Sequence, residues 1–218
     1  MEAAVVRMAR SPRLGLIHQD LNRLWRRERM ARQKFYDSIE DGKKVEFVNG
    51  QVVVHSPDRF IHIKVRHRIG NLLENYVHVH GLGEIAEEKL LICLTRNDYM
   101  PDIVFFGADK AAGLHNEQLK FPAPDLVVEV LSPGTRRRDR GVKFEDYALH
   151  GVAEYWIVDA DARIIEQYFL DESGRYQLSV KASGAKEVRS RAVAGFRMPA
   201  EAAFDDAMNL RVLKTMLK

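Results

Sequence analysis

Two short runs of almost unbroken apolar residues constrain this chain more than any other feature. Residues 103–106 read Ile-Val-Phe-Phe, and residues 126–131 read Leu-Val-Val-Glu-Val-Leu. A strand open to water on one side alternates apolar and polar positions, so runs this continuous describe strands covered on both faces. Covering both faces takes helices on either side of the sheet, which commits the chain to a layered α/β arrangement. Both runs also carry acids: Asp102 stands at the start of the first, Asp125 and Glu129 on the second. A carboxylate in such a strand costs several kcal/mol unless it is paired, protonated or bound to a cation.

The remaining pattern supplies the other layers. Residues 15–40 place Leu16, Ile17, Leu21, Leu24 and Trp25 at spacings near three and four, which predicts a helix. From Lys44 the period changes to two. Val-Glu-Phe-Val, Asn49-Gly50 and Gln-Val-Val-Val predict a hairpin on a type I′ turn, because Asn and Gly accept positive φ. Ser56-Pro57-Asp58 offers a helix start, and Ile61, Val65, Ile69, Leu72, Leu73 and Tyr76 keep helical spacing until Gly81 and Gly83. Strands are expected over 84–94, 101–106 and 125–131, the last closed by Ser132-Pro133-Gly134. A basic loop, Arg136-Arg137-Arg138, leads into a short helix that carries Phe144, Tyr147 and Ala148 on one side and stops at Gly151. Residues 154–158, 163–170 and 175–180 alternate and are separated by turn residues, which predicts a β-meander toward the C-terminus.

At 218 residues, without repeats or low-complexity linkers, the chain fits one domain, 41–218, preceded by a basic helical extension over 1–40. The extension is where the charge lies. Residues 1–34 hold nine Lys and Arg against three acids, a net of +6, so the other residues sum to −3 within a total of +3. A total this small does not by itself demand a nucleic-acid partner. Arg-rich starts also describe organellar transit peptides, but serine enrichment is missing here. No apolar run approaches the roughly 18 residues needed to cross a bilayer, so no membrane association is expected. The single cysteine, Cys93, can form neither an internal disulfide nor a thiolate zinc site, and a cytoplasmic location is the expectation.

Asp125 and Glu129 lie four apart on one strand and share a face. If the strand of Asp102 is its neighbour, Asp102 and Glu129 can converge on one divalent ion, and their hard oxygens suit Mg²⁺. The plainer alternative is that Asp102 and Asp125 start strands after proline while Glu129 pairs with a buried arginine.

The run PDLVVEVLSPGTRRRDRGVKFEDYALHGVAEYWIVD, with PDIVFF and KVEFVNGQVVVHSPDRFIH before it, resembles the Uma family of restriction-endonuclease-like proteins. The likeness covers roughly residues 40–200 and rests on the order of the motifs together with GVAEYWIVD. That family belongs to the PD-(D/E)XK nuclease superfamily, whose fold is a mixed central sheet flanked by helices. The resemblance implies that Asp102 is the Asp of the PD motif and Glu129 the acid of the (D/E)-x-K motif, together holding a catalytic Mg²⁺ or Mn²⁺. Glu46 becomes a further ligand or a supporting group, Asp125 a supporting acid of the second PD phrase, and His62 matches a family position near the site. The sequence departs from the motif at Leu131, where lysine is required, and the basic role shifts to Lys143 in the DRGVK phrase.

These implied parts suit hydrolysis of DNA phosphodiesters: a divalent ion neutralises charge on phosphoryl and leaving oxygens, and a lysine adds a compact positive charge. Arg136, Arg137 and Arg138 can grip phosphate. Cutting two strands calls for two active sites, so the expected partner arrangement is a homodimer through the meander edge or the N-terminal helix. A relative that keeps the fold only to bind nucleic acid or to assemble is the alternative, and a hydrolase of small phosphoesters is a third. Without the resemblance, Lys143 reads as one half of a surface ion pair with Asp139, one turn away. His78 and His80 lack a third ligand and read as solvated. Cys93, Tyr155 and Trp156 read as core residues.

Overall fold

The computed structural model describes residues 2–39 and 43–217. The expected boundary between extension and domain, near residue 40, lies outside them. The chain opens with α1 (Glu2–Ala9) and α2 (Leu14–Asp37), then the hairpin β1 (Val45–Val48) and β2 (Gln51–Val54), then α3 (Phe60–His80). β3 (Gly83–Glu87), β4 (Leu91–Cys93), β5 (Asp98–Tyr99) and β6 (Ile103–Gly107) follow. A short α4 (Ala108–Ala111) and β7 (Lys120–Phe121) precede β8 (Leu126–Val130). α5 (Arg136–Asp139) and α6 (Val142–Leu149) cross to β9 (Glu154–Asp159), and β10 (Ile164–Leu170), β11 (Tyr176–Ala182), β12 (Glu187–Arg189) and β13 (Arg197–Pro199) lead to α7 (Asp206–Met216).

A mixed sheet of order β11-β10-β9-β8-β6-β3 forms the centre, parallel at β8–β9 and antiparallel elsewhere. β8 and β6 are the apolar runs of the sequence, and both are covered on both sides. Leu126, Val128, Ile103 and Phe105 join the core under α3 and α7, while Val127, Val104 and Phe106 join a second core with Tyr147 of α6. This is a central mixed sheet flanked by helices, the architecture of restriction-endonuclease-like folds. A second sheet, β2-β1-β5-β4-β7, sits beside it and carries Glu46 inward on β1, whose four residues are all buried.

Local sequence signals explain the joints. Asn49 and Gly50 hold φ of 51° and 81°, as a type I′ hairpin turn requires. Gly81 ends α3 in the left-handed region at φ 62°. β9, β10 and β11 form the expected meander.

Two local expectations change. The segment 84–94 is two strands in different sheets, because Glu88 and Lys89 both adopt positive φ and turn the chain between β3 and β4 without a glycine or proline to signal it. The triple-arginine segment is a helical turn, α5, rather than a loop. α2 docks by its second half. Phe35 is buried there, and Arg32 donates from Nε and Nη2 to Asp98 of β5 at 2.7 and 2.5 Å. Leu16, Leu21, Leu24 and Trp25 are exposed.

Candidate active site

The pairing of β6 with β8 brings the two strand acids together. Ile103 faces Val128, and continuing that antiparallel register by one residue sets Asp102 opposite Glu129, on the same face of the sheet. Both are buried, at 2% and 3% exposure, which raises the question of what offsets their charge.

Asp102 is held from three directions. Its Oδ2 accepts from the backbone N–H of Val130 at 2.8 Å and lies 3.3 Å from His62 Nε2, while Oδ1 accepts from Lys44 Nζ at 2.7 Å. Burial pushes the Asp102 carboxyl up, but Lys44 and His62 outweigh it and hold the group ionised, well below the usual carboxylate range. His62 itself bridges acceptors. Nε2 lies 2.6 Å from the Val130 carbonyl oxygen, and Nδ1 lies 3.2 Å from Asp58 Oδ2. Burial disfavours the charged ring, yet Asp102 and Asp58 raise the pKa of His62 above its ordinary value.

Glu129 belongs to a second cluster centred on Lys143. The Lys143 ammonium, with its side chain 1% exposed, lies 2.8 Å from Glu46 Oε1, 2.9 Å from Glu129 Oε1 and 3.5 Å from Asp139 Oδ1. The pair of Asp139 and Lys143 is therefore in the core and not on the helix surface, because α6 turns this side toward the sheet. Glu46 also lies 2.9 Å from His55 Nε2 and accepts from Met100 N at 3.0 Å. Burial would raise Glu46, but Lys143 and His55 bring it down to about 2. Glu129 goes the other way. Burial pushes it up to about 8, Lys143 pulls against this, and the charges of Asp139 and Asp102 add to the rise. One ammonium serves three buried carboxylates, and Asp139, like Glu129, is pushed up by burial.

Asp102, Glu129 and Val130 open onto a cavity of about 390 Å³. Its rim carries Lys44, Arg59, His62 and Arg138, with Ser132, Pro133 and Gly134 from the turn after β8 and Val54 and His55 from the hairpin. Leu131 also lines it, on the Glu129 side of the strand, where the superfamily motif places lysine. Lys143 is not among the lining residues. It supports Glu129 from behind.

The other expected residues separate. Asp125 stands at the far end of β8, accepting from Gly107 N at 2.8 Å and pairing with Lys110 at 2.7 Å, so the fold does not bring it to this cavity. Of the three arginines, Arg138 reaches the rim and its Nε is buried with no hydrogen-bond acceptor. Arg136 pairs with Asp159 at 2.8 Å, and Arg137 is exposed. His78 and His80 are exposed at the end of α3, Tyr155 and Trp156 are fully buried, and Cys93 is half-buried with its thiol pushed up to about 12 by burial.

Sequence reading passed over Lys44, His55 and Asp58. Lys44 had a signal: it stands two residues before Glu46 in a segment of period two, so both point the same way. His55 and Asp58 come from loop positions that no periodicity marks.

Comparison with known proteins bears on the family and the fold. Residues 32–201 match the Uma2 family, described as "Putative restriction endonuclease". An uncharacterised protein of Synechocystis sp. is 30% identical over 152 residues, spanning 68% of this chain and 78% of that one. A crystal structure from Anabaena variabilis, titled as a putative nuclease belonging to DUF820, superposes with a TM-score of 0.66 at 16% identity, covering 79% of this chain and 96% of the other. The fold, the order of the motifs and the length of the match together mean that this chain belongs to the Uma2 family of restriction-endonuclease-like proteins, within the PD-(D/E)XK superfamily.

Proposed function

We propose that this protein is a divalent-metal-dependent endonuclease that hydrolyses DNA phosphodiester bonds. The observation that carries the reading is the facing of Asp102 and Glu129 on adjacent central strands at the floor of a polar cavity. Among the described residues, no three His, Cys, Asp or Glu side chains are grouped as a ready metal site. The donor set nevertheless fits Mg²⁺ or Mn²⁺. It is all oxygen, with two carboxylates and the Val130 carbonyl beside them, and Mg²⁺ is commonly bound through one or two carboxylates, completing its shell with water and substrate phosphate. Burial pushes Glu129 up, a rise that an added cation would oppose.

Bound there, a divalent ion would supply positive charge to a phosphoryl oxygen and to the attacking water. Asp102 and Glu129 would hold it. Lys143 and Glu46 fix Glu129 from behind, so Lys143 acts through that carboxylate as a positioning residue. Arg138 lines the cavity and would bring its guanidinium to a phosphate there, with Arg136 and Arg137 further out on the same turn. His62 ties Asp102 to the Val130 carbonyl.

One observation favours a second reading. Asp102 already has Lys44 and His62 against its oxygens and Glu129 has Lys143, so each of the two strand acids has a partner without metal. A relative that uses the fold to bind nucleic acid would keep such a cluster. Incubating the protein with mixed DNA and RNA substrates across Mg²⁺, Mn²⁺ and Ca²⁺ separates the two. Metal-dependent DNA cleavage lost in both Asp102→Asn and Glu129→Gln supports the nuclease. DNA binding without cleavage, and without saturable metal binding in calorimetry, supports the binding module. Light scattering with and without DNA tests the homodimer that two-strand cleavage calls for. No helix among the described residues is long and apolar enough to cross a membrane.

A further inference from the structure

The two lysines of this site are not equivalent. Lys143 is enclosed by Glu46, Glu129 and Asp139, lies 5.6 Å from the centre of the Tyr99 ring, and has no opening to the cavity. Lys44 stands on the other side of the acid pair. It precedes β1, lines the cavity, and is 16% exposed, and its ammonium rests 2.7 Å from Asp102 Oδ1. Oδ1 is the Asp102 oxygen not taken by the backbone of Val130, so the ammonium covers the atom an incoming cation would need.

We infer that Lys44 is a resident counter-ion that a divalent cation displaces from Asp102, and that the released ammonium then faces the phosphate of a nucleic acid in the cavity. This rests on the nuclease reading and adds to it the cation that the motif lacks at Leu131. Three features support the exchange. Two positive charges cannot share one carboxylate oxygen at contact distance without a Coulomb penalty. The flexible four-carbon stem of lysine allows its head to swing while the backbone stays in place. The cavity gives the head a place to go, on a rim where Arg59 is already paired with Asp161 and Arg138 stands beside the turn after β8. In the metal-free protein the same contact keeps a buried Asp102 from standing unpaired.

The exchange has signatures that a purely structural salt bridge lacks. Calorimetric titration of the full chain with Mn²⁺ alone should show Lys44→Met binding at least about tenfold more tightly than wild type, a modest part of the interaction between two charges in contact. Binding of a duplex with nuclease-resistant phosphorothioate linkages should be weakened by Lys44→Met in the presence of Mn²⁺ and unchanged without it. If the variant does not fold, the wild-type chain provides the test: amine-reactive labelling of Lys44, followed by peptide mass spectrometry, should rise several-fold when Mg²⁺ is added. Equal Mn²⁺ affinity in both forms, or labelling of Lys44 that stays constant while Mn²⁺ binds, overturns the displacement and leaves the metal site standing. Absence of Mn²⁺ binding in wild type and variant alike overturns the metal-dependent reading, and the displacement with it.

Discussion

Replacing Lys143 with methionine tests how the buried charge is arranged. The substitution keeps an unbranched, flexible side chain of similar volume and removes one positive charge. Three carboxylates lie within 3.5 Å of the Lys143 ammonium, and all three are buried. Breaking a buried pair by removing one partner costs about 3–5 kcal/mol, because the remaining charge keeps its desolvation penalty. With a urea slope of about 3 kcal/mol per molar for a chain of this size, the midpoint should fall by about 1–1.7 M. Urea unfolding followed by the fluorescence of buried Trp156 reads this directly. The companion variant, Lys143→Met with Asp139→Asn, removes one surplus acid and should recover part of the loss, since groups in one charge network couple by about 0.5–3 kcal/mol. A midpoint shift below about 0.3 M for the single variant, on the same slope, would refute the claim that Lys143 is the counter-charge of this core.

Three further outcomes follow from the geometry. Glu46 has its folded pKa lowered to about 2 against an ordinary 4.5, so it contributes stability that is fully present above 4.5 and is lost as pH falls toward 2; between pH 5 and pH 2.5 wild type should lose about 2.4 kcal/mol that Glu46→Gln does not, read from unfolding midpoints across that window. Buried Glu154 accepts from Trp156 Nε1, Gln167 Nε2, Ser190 Oγ and the backbone N–H groups of Arg191 and Ala192, so Glu154→Gln turns an amide toward those donors and should cost about 2–4 kcal/mol in thermal unfolding while leaving Mn²⁺ binding unchanged. Removing Arg136, Arg137 and Arg138 together should weaken DNA binding and flatten its salt dependence; Arg138→Ala alone should produce most of the effect, and an equal contribution from Arg136, which is paired with Asp159, would show that cavity proximity does not matter.

The parts of this fold that a sequence displays are those where physics is local. The covered strands β6 and β8, the Asn49-Gly50 turn and the glycine stop of α3 are each set by a few neighbouring residues. The facing of Asp102 and Glu129 needed only one further assumption, that the two apolar runs are neighbours. What the sequence hid depends on the third dimension. Nothing in residues 84–94 marks the turn at Glu88 and Lys89, since both residues are ordinary strand or helix formers forced to positive φ by pairing in two sheets. The i, i+4 spacing of Asp139 and Lys143 describes a surface pair and a core pair equally well, and only the packing of α6 against the sheet decides between them. Asp125 and Glu129 share a strand face, but four residues of extended chain, about 13 Å, separate them, and parity along a strand says nothing about that distance.

The connection between β8 and β9 has a consequence for how this chain can change in length. The two strands are parallel, so they cannot be joined by a tight turn, and α5 and α6 carry the chain back across the sheet. Glu129 sits on the strand that enters this crossover and Lys143 within the helix that leaves it, 2.9 Å apart. The segment between them therefore works as a ruler. Adding or removing one residue there would rotate the start of α6 by about 100° and carry the ammonium off the core face. Insertions should accumulate instead at the Gly174 turn of the meander, where exposed chain changes direction without any buried charge depending on its count.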